Sequence, residues 1–326
     1  MNVASTTGNK PLEVITLSDG KSLTAEILPF GAIIKSIKFN NQEMTLCVNE
    51  PAYYLENPFY LGATVGRYAN RIENGRFVLS GTEYQLKANN GPNSLHGGEK
   101  GFNKVLWQVT KQSNNEVELY YCSADGEEGF PGQLQVWQTI TARNGELILS
   151  YKAITDKETL VNFTNHCYFN LEGSESINNH LLQINTATYL PIDSNSIPLA
   201  HHEDGSGSCF DFTHPKPIGD ALCAQHAQLD AGSGFDHCYI FSDDNRLKTM
   251  ATLTSPHTGV NLTLKSTQPG MQLYTANFVG SPFNARQAVC LEAQNWPNAA
   301  NRSDYPKANL LPNEEYNQQI IFAFSQ

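Results

Sequence analysis

One carboxylate stands in an otherwise apolar run, Val289-Cys290-Leu291-Glu292-Ala293-Gln294. Charged residues are rarely buried without a task, so Glu292 is the foremost candidate for a general base. His166 lies in Asn165-His166-Cys167-Tyr168-Phe169-Asn170-Leu171, on a predicted strand among aromatic and apolar neighbours. Burial disfavours imidazolium and a nearby carboxylate restores it, so this histidine is either a proton donor or a satisfied core residue, and both readings stand. In Gly66-Arg67-Tyr68-Ala69-Asn70-Arg71-Ile72 an Asn-Arg pair sits between small residues. Asn70 and Arg71 offer directional donors for hydroxyls or an oxyanion; the plainer alternative is a surface turn with solvated arginines. His96, in Asn93-Ser94-Leu95-His96-Gly97-Gly98, precedes two glycines that would let the backbone approach a ligand closely. Asp236 in Phe235-Asp236-His237 and Gln272 in Pro269-Gly270-Met271-Gln272-Leu273-Tyr274 fall on β-like runs, where an inward polar side chain needs a partner or a ligand.

Two more conspicuous clusters carry less. His201-His202-Glu203-Asp204 has the composition of a metal site, but adjacent histidines on an extended chain point opposite ways and the next residues are Gly-Ser-Gly-Ser. Asp125-Gly126-Glu127-Glu128-Gly129 has the composition of a paired-carboxylate site, but its glycines and the following Phe130-Pro131-Gly132 read as a turn, and an acid/base pair needs a fixed carboxylate separation. No metal site and no cofactor is expected.

The elements that must hold these side chains are strands. Short β-prone runs at Leu12 to Thr16, Leu23 to Leu28, Ile33 to Phe39 and Met44 to Val48 are punctuated by Ser18-Asp19-Gly20 and Asn40-Asn41. The texture returns at Arg76 to Leu86, broken by Ser80-Gly81, and from Val117 to Tyr151 apolar and polar residues alternate with period two. Helical periodicity is scarce; Thr213 to Gln225 predicts at best a short helix. The expected class is all-β, with antiparallel sheets packed face to face in a single domain spanning 1–326.

Composition narrows the partners. The 326 residues carry 21 Lys and Arg against 32 Asp and Glu, a net charge of −11, so a polyanion such as nucleic acid is not expected. Residues 1–10 are polar and no apolar run approaches the length of a membrane span, which predicts a cytoplasmic protein without membrane partners. Seven cysteines, an odd number with no C-x-x-C pair, read as free thiols.

Taken in order, seven motifs resemble the aldose 1-epimerase (galactose mutarotase) family: Gly66 to Ile72, Asn93 to Gly98, Asp125 to Gly132, Asn165 to Leu171, Leu190-Pro191-Ile192-Asp193, Phe235-Asp236-His237 and Leu291-Glu292-Ala293-Gln294. The resemblance runs over nearly the whole chain. It implies a large antiparallel β-sandwich, the galactose mutarotase-like supersandwich with few short helices, and a cleft for a free hexose. It also implies Glu292 as base, His166 as acid, and Asn70, Arg71, His96, Asp236 and Gln272 as sugar-contacting residues. The activity so implied interconverts the α and β anomers of D-galactose and D-glucose, in a monomer or homodimer, with no cofactor. A hexose-6-phosphate epimerase and a non-catalytic sugar-binding protein are the alternatives. Departures from the family pattern are Ala293 beside the base, Asn298 in place of a frequent Asp, and a short segment from Gly280 to Val289.

Overall fold

The computed structural model describes residue 10 and residues 12–326; the rest of the polar lead lies outside the described residues. The period-two stretch forms three long strands, Glu116–Ser123, Leu134–Arg143 and Glu146–Thr155, paired antiparallel in sequence order. Leu134–Arg143 alternates buried and half-buried positions almost to its end, as a strand with one face on a core must. These strands belong to a nine-stranded sheet, and the terminal strand Tyr316–Ser325 is inserted at its middle, between Glu146–Thr155 and Asn261–Ser266.

A six-stranded sheet carries the site. Its order is Tyr168–Phe169, Val289–Gln294, Gly270–Tyr274, Asp236–Ile240, Thr188–Leu190 and Glu203–Asp204. Val289, Leu291, Ala293, Met271, Leu273 and Tyr239 point to one face and join a core with Leu119, Val136, Leu149 and Phe322 of the larger sheet. Burying a side chain such as Leu291 there contributes about 1.5–3 kcal/mol. Successive strand residues face opposite ways, so this core packing aims Cys290, Glu292 and Gln294 at the other face.

A four-stranded sheet, Ile15–Ser18, Leu23–Leu28, Ile33–Phe39 and Gln42–Glu43, packs into the same core. Its first strand starts three residues later than the apolar run from Leu12 predicts. The hairpin expected around Ser80-Gly81 is present as Arg76–Leu79 and Thr82–Gln85. Inside the stretch 213–225 the helix is only Ile218–Leu222, started after Pro217, whose ring fixes φ but leaves no N–H to donate. A further short helix, Ala227–Gly232, escapes the sequence reading because its N-cap is His226, whose ring accepts from the Gln228 N–H in place of the usual Ser or Asp. No helix among the described residues is long and apolar enough to cross a membrane.

Candidate active site

The exposed side of the six-stranded sheet floors a cleft of about 430 Å³ lined by Glu292, His166, His96, Arg71, Asn70 and Asp236 with a rim of aromatic residues. Register brings three polar side chains together on this side of the sheet: Glu292 pairs across to Gln272, and Asp236 lies opposite Tyr274 on the next strand. Gln272 Nε2 donates to Asp236 Oδ1 at 2.6 Å, and Arg71 Nη1 lies 3.7 Å from Asp236 Oδ2. Gln272 does not line the cleft directly; it stands behind Asp236 and orients it. Two buried acceptors on this floor, Glu292 Oε2 and Gln272 Oε1, have no protein partner. An acceptor buried without a donor costs roughly 1–3 kcal/mol, and a hydroxyl of a molecule bound in the cleft would satisfy Glu292 Oε2.

His166 does not lie on a continuous strand. It sits at the break between Thr164–Asn165 and Tyr168–Phe169, its N–H donating to Ala63 and its carbonyl accepting from Gly62, both at 3.0 Å. Asn165 clamps that break, donating to the Gly62 carbonyl at 2.9 Å and accepting from the Cys167 N–H at 3.2 Å. The kink turns the imidazole into the cleft, where Nε2 comes within 3.7 Å of Glu292 Oε1. Both side chains are nearly sealed from solvent, 6% and 3% exposed, so neither charge is screened.

The two arginines flagged together by sequence part company here. Arg67 is buried, its guanidinium donating to the carbonyls of Pro131 and Gly132 at 2.9 Å and to Ser123 Oγ at 2.5 Å. Burial lowers its pKa to about 10, with Glu127 partly restoring it. Arg67 thus ties the Gly66 to Ile72 loop to the Asp125 to Gly132 turn, which is structural and not a paired-carboxylate site. Arg71 turns into the cleft, its Nε donating to Asn90 Oδ1 at 2.9 Å and its carbonyl accepting from the Asn298 N–H at 2.9 Å. Asn298 therefore acts through Arg71's backbone and through Glu73, whose N–H its side chain accepts at 3.1 Å.

Asn70 and His96 lock each other. Asn70 N–H donates to His96 Nδ1 and His96 N–H donates to the Asn70 carbonyl, each at 3.1 Å. With Nδ1 accepting, a neutral His96 carries its hydrogen on Nε2 and presents a donor to the cleft. Burial pushes its pKa well below the ordinary 6.5, and His166 and Arg71 push the same way. The glycines after it serve a different close approach from the one expected: a Cβ on Gly97 would lie 2.0 Å from the Gly66 carbonyl oxygen, so Gly97 seats this loop on Arg67's loop rather than on a ligand.

Burial biases the protonation of the Glu292–His166 pair. Burial raises the Glu292 carboxyl well above 4.5, Asp236 adds to the rise, and Arg71 opposes it. Burial lowers His166 to about 4. Both groups thus favour neutrality at rest, with one proton between them. The carboxylate–imidazolium arrangement holds the same number of protons and differs only in where that one sits.

His96, His166 and Glu292 also place one ligand-type atom each within 4.8 Å of one another. The donor set does not fit a metal ion, because ligation through His96 Nε2 would need the hydrogen on Nδ1, where Asn70 N–H already points. The His201-His202 cluster forms no cation cage either: His201 meets Glu203 at 3.4 Å and His202 packs edge-on against Trp296.

The aldose 1-epimerase family profile matches residues 13–323. The chain belongs to the aldose 1-epimerase family. It is 40% identical over 318 residues to a galactose mutarotase from Sus scrofa, covering 93% of this chain and 91% of that one. It is 33% identical to an aldose 1-epimerase from Escherichia coli strain K12, over 97% and 96% of the two chains. The crystal structure of an aldose epimerase homologue from C. elegans superimposes with a TM-score of 0.90 at 27% identity, covering 96% of this chain and 99% of that chain. The sandwich expected from the motifs is the galactose mutarotase-like fold found here.

Aldose 1-epimerase cleft residues that sequence reasoning missed are chiefly aromatic. Tyr60 packs against His96 and His166 with ring centroids at 4.9 and 5.9 Å, and Tyr168 and Tyr274 flank His166. Phe278, 66% exposed, stands on the rim. Tyrosines are ordinary core residues in a β protein and nothing in their spacing marks these. Asn90 had a faint signal in the Asn89-Asn90-Gly91-Pro92 turn, but its bond to Arg71 links residues 19 apart.

Proposed function

We propose that this chain is an aldose 1-epimerase that interconverts the α and β anomers of a free hexose, D-galactose and D-glucose being the expected substrates. The observation that carries the reading is the buried Glu292–His166 pair at 3.7 Å, open to a cleft whose remaining polar groups suit hydroxyls. The two oxygens that exchange protons during mutarotation, the C1 hydroxyl and the ring oxygen, are bonded to the same carbon. An acid and a base that serve them must stand close together, as these do. Glu292 as carboxylate takes the proton from the C1 hydroxyl while His166 as imidazolium gives one to the ring oxygen. The C1–ring oxygen bond breaks, the aldehyde forms, and rotation about C1–C2 followed by the reverse transfers closes the other anomer. Protons and electrons balance within the sugar and the pair, so the chemistry calls for no redox or Lewis-acid group. Arg71, His96 and Asn70 supply donors to the sugar oxygens, Asp236 accepts from a hydroxyl, and the tyrosines exclude water around the reacting carbon.

A hexose 6-phosphate fits less well. Arg71 is the one Lys or Arg among the described residues lining the cleft, and it already faces Asp236. Polarimetry on freshly dissolved α-D-galactose, with glucose and galactose 6-phosphate alongside, is the direct check. Accelerated relaxation of the free sugars supports the reading, and relaxation at the buffer rate despite measurable sugar binding leaves a binding protein instead.

Arg71→Lys tests the recognition step. Lysine keeps the charge but loses the fork that reaches Asn90, Asp236 and a sugar oxygen together. The expected result is a KM raised by about tenfold to a hundredfold with kcat within a few fold, the worth of one charge-assisted hydrogen bond. A drop in kcat with KM unchanged would instead place Arg71 in the proton-transfer step.

A further inference from the structure

His166 presents its two ring nitrogens to chemically different partners. Nε2 faces Glu292 at 3.7 Å, and Nδ1 lies 3.5 Å from the sulfur of Cys290. Cys290 is fully buried, two residues before Glu292 on the same face of Val289–Gln294. The ionisable groups packed around the ring are Glu292 and Cys290 from that strand, Tyr168 and Tyr274 from its two neighbours, and Tyr60 and His96 from the loops above. The carboxylate against the ring therefore stands on the Nε2 side, and Nδ1 meets sulfur.

Proton exchange at Nε2 imposes a condition on Nδ1. The imidazolium carries hydrogens on both nitrogens, and the neutral ring left after Nε2 gives up its proton still carries one on Nδ1. Nδ1 needs an acceptor in both states. Burial, with the charge of Glu292 adding to it, pushes the Cys290 thiol well above its ordinary pKa, so the neighbour is a neutral thiol and a weak acceptor. The other acceptor near the ring is His166's own carbonyl, one of whose two lone pairs takes the Gly62 N–H at 3.0 Å. A carboxylate at the Cys290 position would hold the imidazolium and make it a poor acid, whereas sulfur orients the ring without doing so.

We propose that Cys290 is a positioning residue for the reaction: its sulfur accepts the Nδ1–H of His166 and keeps Nε2 as the nitrogen that exchanges a proton with the sugar. This rests on the reading of His166 as the proton donor.

The test compares Cys290→Ala and Cys290→Ser with the parent enzyme by nitrogen-15 NMR of the imidazole and by kcat across pH, with thermal denaturation as the folding control. The neutral ring in the parent is expected as the Nδ1–H tautomer. Cys290→Ala moves population to Nε2–H and lowers kcat about tenfold with KM nearly unchanged, the scale of one modest hydrogen bond. Cys290→Ser restores an acceptor, recovers kcat to within about threefold, and moves the acid limb of the profile upward by roughly half a pH unit because oxygen accepts more strongly than sulfur. Should Cys290→Ala fail to fold, that shift in Cys290→Ser carries the test alone. An Nε2–H tautomer in the parent, or a parent-like tautomer and pH profile in Cys290→Ala, overturns the proposal. His166→Gln separates the two readings: an inactive His166→Gln beside a parent-like Cys290→Ala removes only Cys290's role, and an active one removes the donor assignment and Cys290's role with it.

Discussion

Glu292→Gln is expected to lower turnover by roughly 10²–10⁴-fold, the range for removing a positioned general base, while leaving the fold at least as stable as the parent. Glutamine keeps the shape and one oxygen facing His166 but cannot take a proton from the C1 hydroxyl. The stability half follows from the pH behaviour of the carboxyl it replaces. Burial holds the folded-state pKa of Glu292 well above 4.5, so the folded chain binds this proton more tightly than the unfolded chain does. Its contribution to stability is therefore full below about pH 4.5 and is lost as pH rises through the raised value. A glutamine has no such dependence, so the variant's melting temperature should match the parent's in acid and exceed it increasingly toward alkaline pH. Normal turnover in this variant would remove Glu292 as the base; a melting temperature below the parent's at every pH would mean that its attraction to His166 and Arg71 outweighs the cost of burying it.

His166→Gln is the companion change. The carboxamide nitrogen stands near the place of Nε2 and can hydrogen-bond the ring oxygen, but it gives up no proton, so a loss of roughly 10²–10⁴-fold in kcat is expected with sugar binding retained by calorimetry. The pair acts as one unit on one shared proton, so the double variant should be little worse than the poorer single variant. The parent's pH profile carries a second expectation. Its acid limb reports addition of a further proton to His166, and burial has lowered that pKa to about 4, so turnover should persist well below the 6.5 of an ordinary histidine. For stability the sign is opposite to that of Glu292. A lowered histidine contributes fully above pH 6.5, and the contribution is lost as pH falls toward about 4. An acid limb near 6.5 would show His166 to be solvated or held by a charge in the working enzyme.

The candidate site was legible where a residue type contradicted its surroundings. Glu292 in an apolar strand and His166 among aromatics stand out because burying an ionisable group is costly, and the structure buries both side by side. The same logic could not separate Arg67 from Arg71, since both sit in one loop and only the partners across the fold make one a strut and the other a cleft residue. It also misread Gly97, whose missing side chain makes room for the Gly66 backbone and not for a ligand.

By itself the sequence determined the local terms: strands from period two, turns from Gly, Asn and Asp, the charge balance, and which ionisable residues sit among apolar neighbours. Only the tertiary structure decided the pairings, because a ladder joining Tyr316–Ser325 to Glu146–Thr155, or Asp236 to Tyr274 and Gln272 to Glu292 on one face, depends on register between segments far apart in the chain. Which face of Val289–Gln294 meets water was likewise undetermined locally, every residue in it being buried. Packing of Val289, Leu291 and Ala293 against the larger sheet settled that choice and left Cys290 and Glu292 facing His166, the physical origin of both the proton pair and its sulfur neighbour.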